Sequence, residues 1–326
     1  MIQDILKENG IPMEDCRGQG YDNGANMSGK VKEVQTQILK ENPLATYSPC
    51  ASHTLNLVGV HAAQSCPEIS TFFGCINCLY DLFSSSPERW AILKEKTGRS
   101  LHRLSETRWS ARIAAVRVVA NHLPSIIEAL DSIIETCNLT NEAKYEANGL
   151  KKYFSQFDAV VLLTVWVKVL QCIENQNLIL QAGNISLDVE AANISALKEE
   201  MQALRNEWDS LLSEAILVAK EMEIPPQLQC EEDKRKKRRK RMYDETVTQG
   251  EMCEENTEHA FRNKVFYVAL DSIISALTTR FQTTACVCDT FAPLLKMTEM
   301  TEEQMKILCQ TLTTKYNKDL TAEFEK

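Results

Sequence analysis

The sequence predicts a mainly α-helical protein with a small α/β part near its start. Three observations carry that expectation. Glycine and proline are scarce, 11 and 9 in 326 residues, and a chain with so few breakers favours long helices over a turn-rich β fold. Apolar residues recur at spacings of three and four through 111–135, 142–183, 189–222 and 259–282, the period of one helix face. The strand-like stretches, 15–22 and 45–49, fall within the first fifty residues. At 44% hydrophobic residues the chain can bury the core of one large domain or two smaller ones.

Residues 1–9 read as a short amphipathic helix, and 15–22 (DCRGQGYD) as a weak strand running into a loop, Asp22-Asn23-Gly24-Ala25-Asn26-Met27-Ser28-Gly29. That loop is rich in residues that tolerate positive φ or cap helices. Val31, Val34, Ile38 and Leu39 give 30–41 a helical period. Residues 45–49 (ATYSP) form a second short strand, and from Cys50 the helical period returns. Asn184-Ile185-Ser186 interrupts it once. Thr301, with Glu303-Gln304 close behind, is the expected N-cap of a last helical stretch, 301–325. There is no internal repeat.

Residues 224–258 differ from the rest. They open with Pro225-Pro226, close on Glu251, Glu254, Glu255 and Glu258, and contain eight consecutive basic residues, Lys234, Arg235, Lys236, Lys237, Arg238, Arg239, Lys240 and Arg241. Like charges at that density repel and bury nothing, so a disordered linker is expected. The domain reading is therefore 1–110, an α/β region; 111–223, helical; 224–258, the basic and acidic linker; and 259–326, a helical continuation.

The net charge is −9, and without the eight consecutive cations the remainder carries −17. Such a chain binds nucleic acid only through local patches. The start, Met1-Ile2-Gln3-Asp4, lacks a basic-then-apolar run, and the longest apolar run, 159–167, is shorter than the roughly 18 residues a membrane span needs. The 12 cysteines are therefore expected as reduced thiols of the cytosol or nucleus, mostly serving as small buried hydrophobes. Neither a phosphate-binding glycine loop nor a Gly-x-Ser-x-Gly elbow is present, which argues against common ATPases, dehydrogenases and hydrolases.

Four features carry chemistry. Asp22, ending a strand in a small-residue loop, is placed to hold a hard cation such as Mg²⁺; an Asp there also caps a helix or closes an Asx turn. Cys50-x2-His53 followed by Cys75-x2-Cys78 has the composition of a Cys₃His zinc set. Cys75 and Cys78, however, sit in 72–80, which reads as a buried helix face, so no metal is expected there. Arg108-Trp109 can pair with phosphate and stack on an unpaired base, or be a core Trp beside a surface Arg. Lys234–Arg241 has the pattern of a nuclear import signal.

The order of these features is more specific than any one of them. Gly18-Gln19-Gly20-Tyr21-Asp22-Asn23-Gly24-Ala25-Asn26-Met27, then Cys50-Ala51-Ser52-His53-Thr54-Leu55-Asn56-Leu57, then Thr107-Arg108-Trp109 resembles the hAT superfamily of DNA transposases, in particular its zinc-finger MYM-type-like and DUF4371-type derivatives. The resemblance is specific through 15–115 and looser beyond, where Phe266–Ile274 looks like part of the same group's helical insertion. It implies a partial RNase H-like region interrupted or followed by an α-helical insertion domain. It gives Asp22 the role of the second metal-binding carboxylate of an Asp-Asp-Glu triad. It places Cys50 and His53 near the active site without zinc, and gives Trp109, beside Arg108, the stacking role on a flipped base.

The chain departs from that family where catalysis needs it. Only 21 residues precede Asp22, Asp4 and Asp15 lack a strand context, and no motif singles out Glu323 or Glu325 as the closing carboxylate. The expectation is a chain truncated at both ends and without enzyme activity, needing no cofactor; Mg²⁺ belongs to an intact relative. The alternative is a domesticated nuclear protein-interaction or DNA-binding protein. Expected partners are DNA, the nuclear import machinery and proteins meeting the helical region, with no membrane. A fluorescent fusion too large to diffuse into the nucleus should accumulate there and lose that accumulation when residues 234–241 are replaced by Ala; unchanged distribution rejects the import role.

Overall fold

The computed structural model describes residues 2–22, 24, 27, 33–105, 109–182, 185–229, 257–295 and 297–325. Helices dominate. Gly18–Tyr21 (β1) and Thr46–Pro49 (β2) pair in parallel, in the register Gly18↔Thr46 to Tyr21↔Pro49. Among the described residues these are the strands. A parallel pair requires a crossover, and the chain supplies it with the helix Val34–Glu41. The helix Ile2–Glu8 precedes β1, and Ala51–Ala62 follows β2.

The chain divides into two compact units. The first gathers Met1–Val58, Asn175–Glu199 and Ser275–Lys326; the second comprises Gly59–Glu174 and Glu200–Ile274. These groupings cut across the sequence boundaries at 110, 223 and 258. The divisions fall inside the helices Ala51–Ala62, Phe157–Leu180, Leu187–Arg205 and Tyr267–Arg280.

In the second unit, Pro67–Ser84 and Pro87–Thr97 each open with Pro at the first helical position, where its missing N–H costs nothing. Gly98 closes the latter at φ 63, a left-handed conformation that favours glycine. The core is built on Phe72, Phe83, Leu130, Phe154, Trp166 and Trp208, all essentially inaccessible. Trp166 meets the edge of Phe73 at 4.8 Å. Trp208 packs on Phe266 at 5.0 Å, and its indole N–H donates to Glu258 at 3.0 Å. This anchors the five-residue π-helical turn Arg262–Phe266, which interrupts the α-helix between Thr257–Phe261 and Tyr267–Arg280.

Helical periodicity locates the helical blocks but runs across their breaks. The block 111–135 is two helices, Trp109–Asn121 and Leu123–Thr136, bent by 81°. Pro124 cannot donate back to the preceding turn, so the first helix stops before it. The block 142–183 is likewise Asn141–Phe154 and Phe157–Leu180, bent by 72° at the polar pair Ser155-Gln156. The last block begins at Thr301, whose hydroxyl accepts from the Gln304 amide while the Gln304 side chain accepts from the Thr301 amide, a reciprocal capping box. Its helix ends at Lys315, with turns beyond.

The linker reading of 224–258 needs a correction at both ends. Ile224 and Leu228 are buried, the Gln227 amide turns back onto the Pro225 carbonyl at 2.8 Å, and the Gln229 amide donates to Asp158 at 3.0 Å: two apolar side chains dock beyond the end of the preceding helix. Helix resumes at Thr257. Residues 230–256, including Lys234–Arg241, lie outside the described residues. No single described helix is long and apolar enough to cross a membrane.

In the first unit, Glu190 on Leu187–Arg205 is 6% exposed and accepts a 3.3 Å hydrogen bond from Thr284 on the helix Gln282–Thr290. Burial pushes its carboxyl up to about 6 from an ordinary 4.5, against the opposing Thr284 hydrogen bond. The folded state therefore holds a proton that the unfolded chain releases between those values. Stability from this group falls by about 2 kcal/mol as pH rises from 4.5 to 6 and is level above. The melting-temperature advantage of Glu190→Gln over the parent should grow across that window; a difference independent of pH overturns the assignment.

Candidate functional site

The site is built at the carboxyl ends of β1 and β2. Because the strands run parallel and end at the pair Tyr21↔Pro49, the residues that follow, Asp22 and Cys50, leave the sheet at the same edge. The Cys50 amide extends the ladder by donating to the Tyr21 carbonyl at 2.9 Å. Asp22 is exposed, and its Oδ1 accepts from the Gly24 amide at 3.2 Å, the Asx-turn alternative. His53 lies half-buried in the first turn of Ala51–Ala62. There the Thr54 hydroxyl donates to the Cys50 carbonyl at 2.8 Å. The Tyr21 and Tyr47 rings stack at 6.2 Å, and burial pushes the Tyr21 phenol above its ordinary value.

Asn42 sets the approach to both strands. It is 5% exposed. Its Nδ2 donates to the carbonyls of Met13 (2.8 Å), Glu14 (3.2 Å) and Cys16 (2.7 Å), just before β1, and its Oδ1 accepts from the Leu44 amide (3.0 Å), just before β2. Gln19, also buried, donates from β1 to the Ala45 carbonyl at 2.9 Å.

The far end of the chain covers this pair. Gln282–Thr290 packs on β2, Tyr316 shares a 3.2 Å hydrogen bond with Thr46, and Arg17 forks onto Asp319 at 2.6 and 2.8 Å. Arg17 holds the Asp319 carboxyl below its ordinary value. Beside β2 opens a cavity of about 610 Å³ that includes Pro49, Thr54, Arg280 and Lys315. None of Arg17, Asn42, Arg280, Lys315 or Asp319 stands in a motif, and no local signal marks them.

The other sequence candidates are not brought to this edge by anything described. Arg108 lies outside the described residues. Trp109 opens the helix Trp109–Asn121, its side chain outside the description. Lys234, Arg235, Lys236, Lys237, Arg238, Arg239, Lys240 and Arg241 are likewise outside it. Close by in sequence, Arg112 lies over the Phe73 ring at 5.1 Å and donates to the Ser105 carbonyl at 3.2 Å. With Arg103 it lines an 800 Å³ cavity in the second unit. Cys75 and Cys78 lie on the uninterrupted helix Pro67–Ser84; burial pushes the Cys75 thiol up to about 11. Among the described residues no three or more His, Cys, Asp or Glu side chains converge to hold a metal ion.

Against known proteins, the chain is 26% identical over 242 residues to the human protein named 52 kDa repressor of the inhibitor of the protein kinase, a stretch covering 69% of this chain and 31% of that protein. The mouse protein of the same name is 26% identical over 243 residues, covering 69% and 32%. The chain thus spans about a third of the length of these curated relatives. No family model matches, and no solved structure matches.

Asn42→Ala should cost about 3 kcal/mol, because it orphans several backbone carbonyls at once. Asn42→Asp should cost at least as much, since a carboxylate cannot donate to Met13, Glu14 or Cys16. Urea unfolding of the two variants reads this; a loss within experimental error in either removes Asn42 from this role.

Proposed function

We propose that this chain derives from an hAT-type transposase and works as a nuclear regulatory protein without cutting DNA. One observation carries the reading: the parallel strand ends bring Asp22 and the Cys50-x2-His53 motif, 28 residues apart in sequence, to one edge. In open sheets the carboxyl ends of parallel strands are where sites form. In this reading β1 and β2 belong to an RNase H-like sheet, and the helices of 111–223 and 259–326 to the inserted region. The similarity to two proteins named as repressors supports a regulatory role over an enzymatic one.

The residues at this edge do not fit the paired Mg²⁺ ions of an intact relative. Asp22 is the one carboxylate of the motif, and its Oδ1 already serves the Gly24 amide. Cys50 and His53 offer donors that hard cations disfavour. Two dications held close together need several carboxylates against their mutual repulsion. Without them Asp22 acts on its own turn, and Cys50 and His53 act as structure at the strand end.

DNA, in this reading, meets Arg108, Trp109 and the cations of 234–241, which also serve the import machinery; the helical region meets protein partners. Purified chain should bind DNA weakly, with affinity falling steeply as salt rises. It should leave hairpin and blunt DNA ends intact in Mg²⁺ or Mn²⁺. Metal-dependent cleavage abolished by Asp22→Ala would overturn the proposal.

A further inference from the structure

The cavity beside β2 is lined by two cations, Arg280 and Lys315, for which no ion pair is seen among the described residues. None of the lining side chains is a carboxylate. Arg17, Arg117, Arg205 and Arg262 each face a carboxylate; Arg280 and Lys315 face none among the described residues. Both stand in the last turns of their helices, where the helix dipole favours a cation, yet both also border the same space. Lys315 Nζ lies 5.3 Å from the centroid of the Tyr316 ring, a cation–π contact that brings no carboxylate to it.

One further feature suits an anion. Gln282–Thr290 starts at the cavity with no side-chain cap from Phe281, and Thr283, in its first turn, is exposed and lines the space. Its first backbone N–H groups therefore add donors to the two cations. Tyr47, Pro49 and Leu57 supply an apolar wall. The volume, about 610 Å³, falls within the range of roughly 300–1,000 Å³ typical of small-molecule sites.

We propose that this cavity binds a small phosphate monoester of mononucleotide size, its phosphate between Arg280, Lys315 and the Thr283 turn and its flat or apolar body against Tyr47 and Pro49. The pairing of a guanidinium and an ammonium on one dianion supplies charge-assisted hydrogen bonds. The assignment uses no residue of the Asp22 edge and stands whether or not the chain derives from a transposase.

Calorimetric titration of the full chain with adenosine 5′-monophosphate tests it. One saturable site is expected, with inorganic phosphate competing for it. Arg280→Gln and Lys315→Gln should each weaken binding roughly tenfold or more, with the melting temperature retained. A parallel measurement needs no variant. The nucleotide should slow alkylation of Cys286, exposed in the cavity, and leave exposed Cys78 unaffected. Absence of saturable binding overturns the proposal, as do unchanged affinity in both variants and equal alkylation with and without nucleotide. So does binding of single-stranded DNA at these residues when the nucleotide does not bind.

Discussion

The first unit depends on the Asn42 side chain. Two four-residue strands bury little by themselves, and a lone pair of strands is marginal in water. Asn42 compensates by tying the segment that enters β1 and the turn that enters β2 to one buried amide. Its position fixes the parallel register, and the register fixes which residues share the carboxyl edge. A slip of one residue would move Asp22 away from Cys50 and put Tyr21 and Tyr47 on opposite faces.

The strand pair still needs a cover, and the chain draws it from its other end. Gln282–Thr290 lies on β2, while Tyr316 and Asp319 reach Thr46 and Arg17. The middle stretch, Asn175–Glu199, joins through buried Glu190 and through Leu187, whose carbonyl accepts from the Cys288 thiol at 3.2 Å. The cavity with Arg280 and Lys315 follows from this docking, because its walls come from both ends of the chain.

Much of the helical content was legible, because a 3.6-residue apolar period survives in sequence and Thr301 with Gln304 spells its own cap. Both strands lie inside the stretches read as strand-like, 15–22 and 45–49. The breaks near 122 and 155 were not, since an apolar face continues through a bend when the next helix also faces the core. The unit boundaries were hidden for a related reason: they fall inside helices, where no change of composition marks them. At the site, Asp22, Cys50 and His53 were legible as motifs. Arg280 and Lys315 were not, since each reads locally as a cation closing a helix, and only tertiary packing brings them to one cavity.

The three separated stretches of the first unit stand or fall as one cooperative body. Native-state hydrogen exchange on the full chain tests this, comparing the parent with Asp319→Asn. The amides of Thr46 and Cys50, which donate to the carbonyls of Arg17 and Tyr21, should open with the same free energy as those of Gln282–Thr290 and lose protection by the same factor in the variant. Loss of protection in the C-terminal helices with the strand amides unchanged would contradict it.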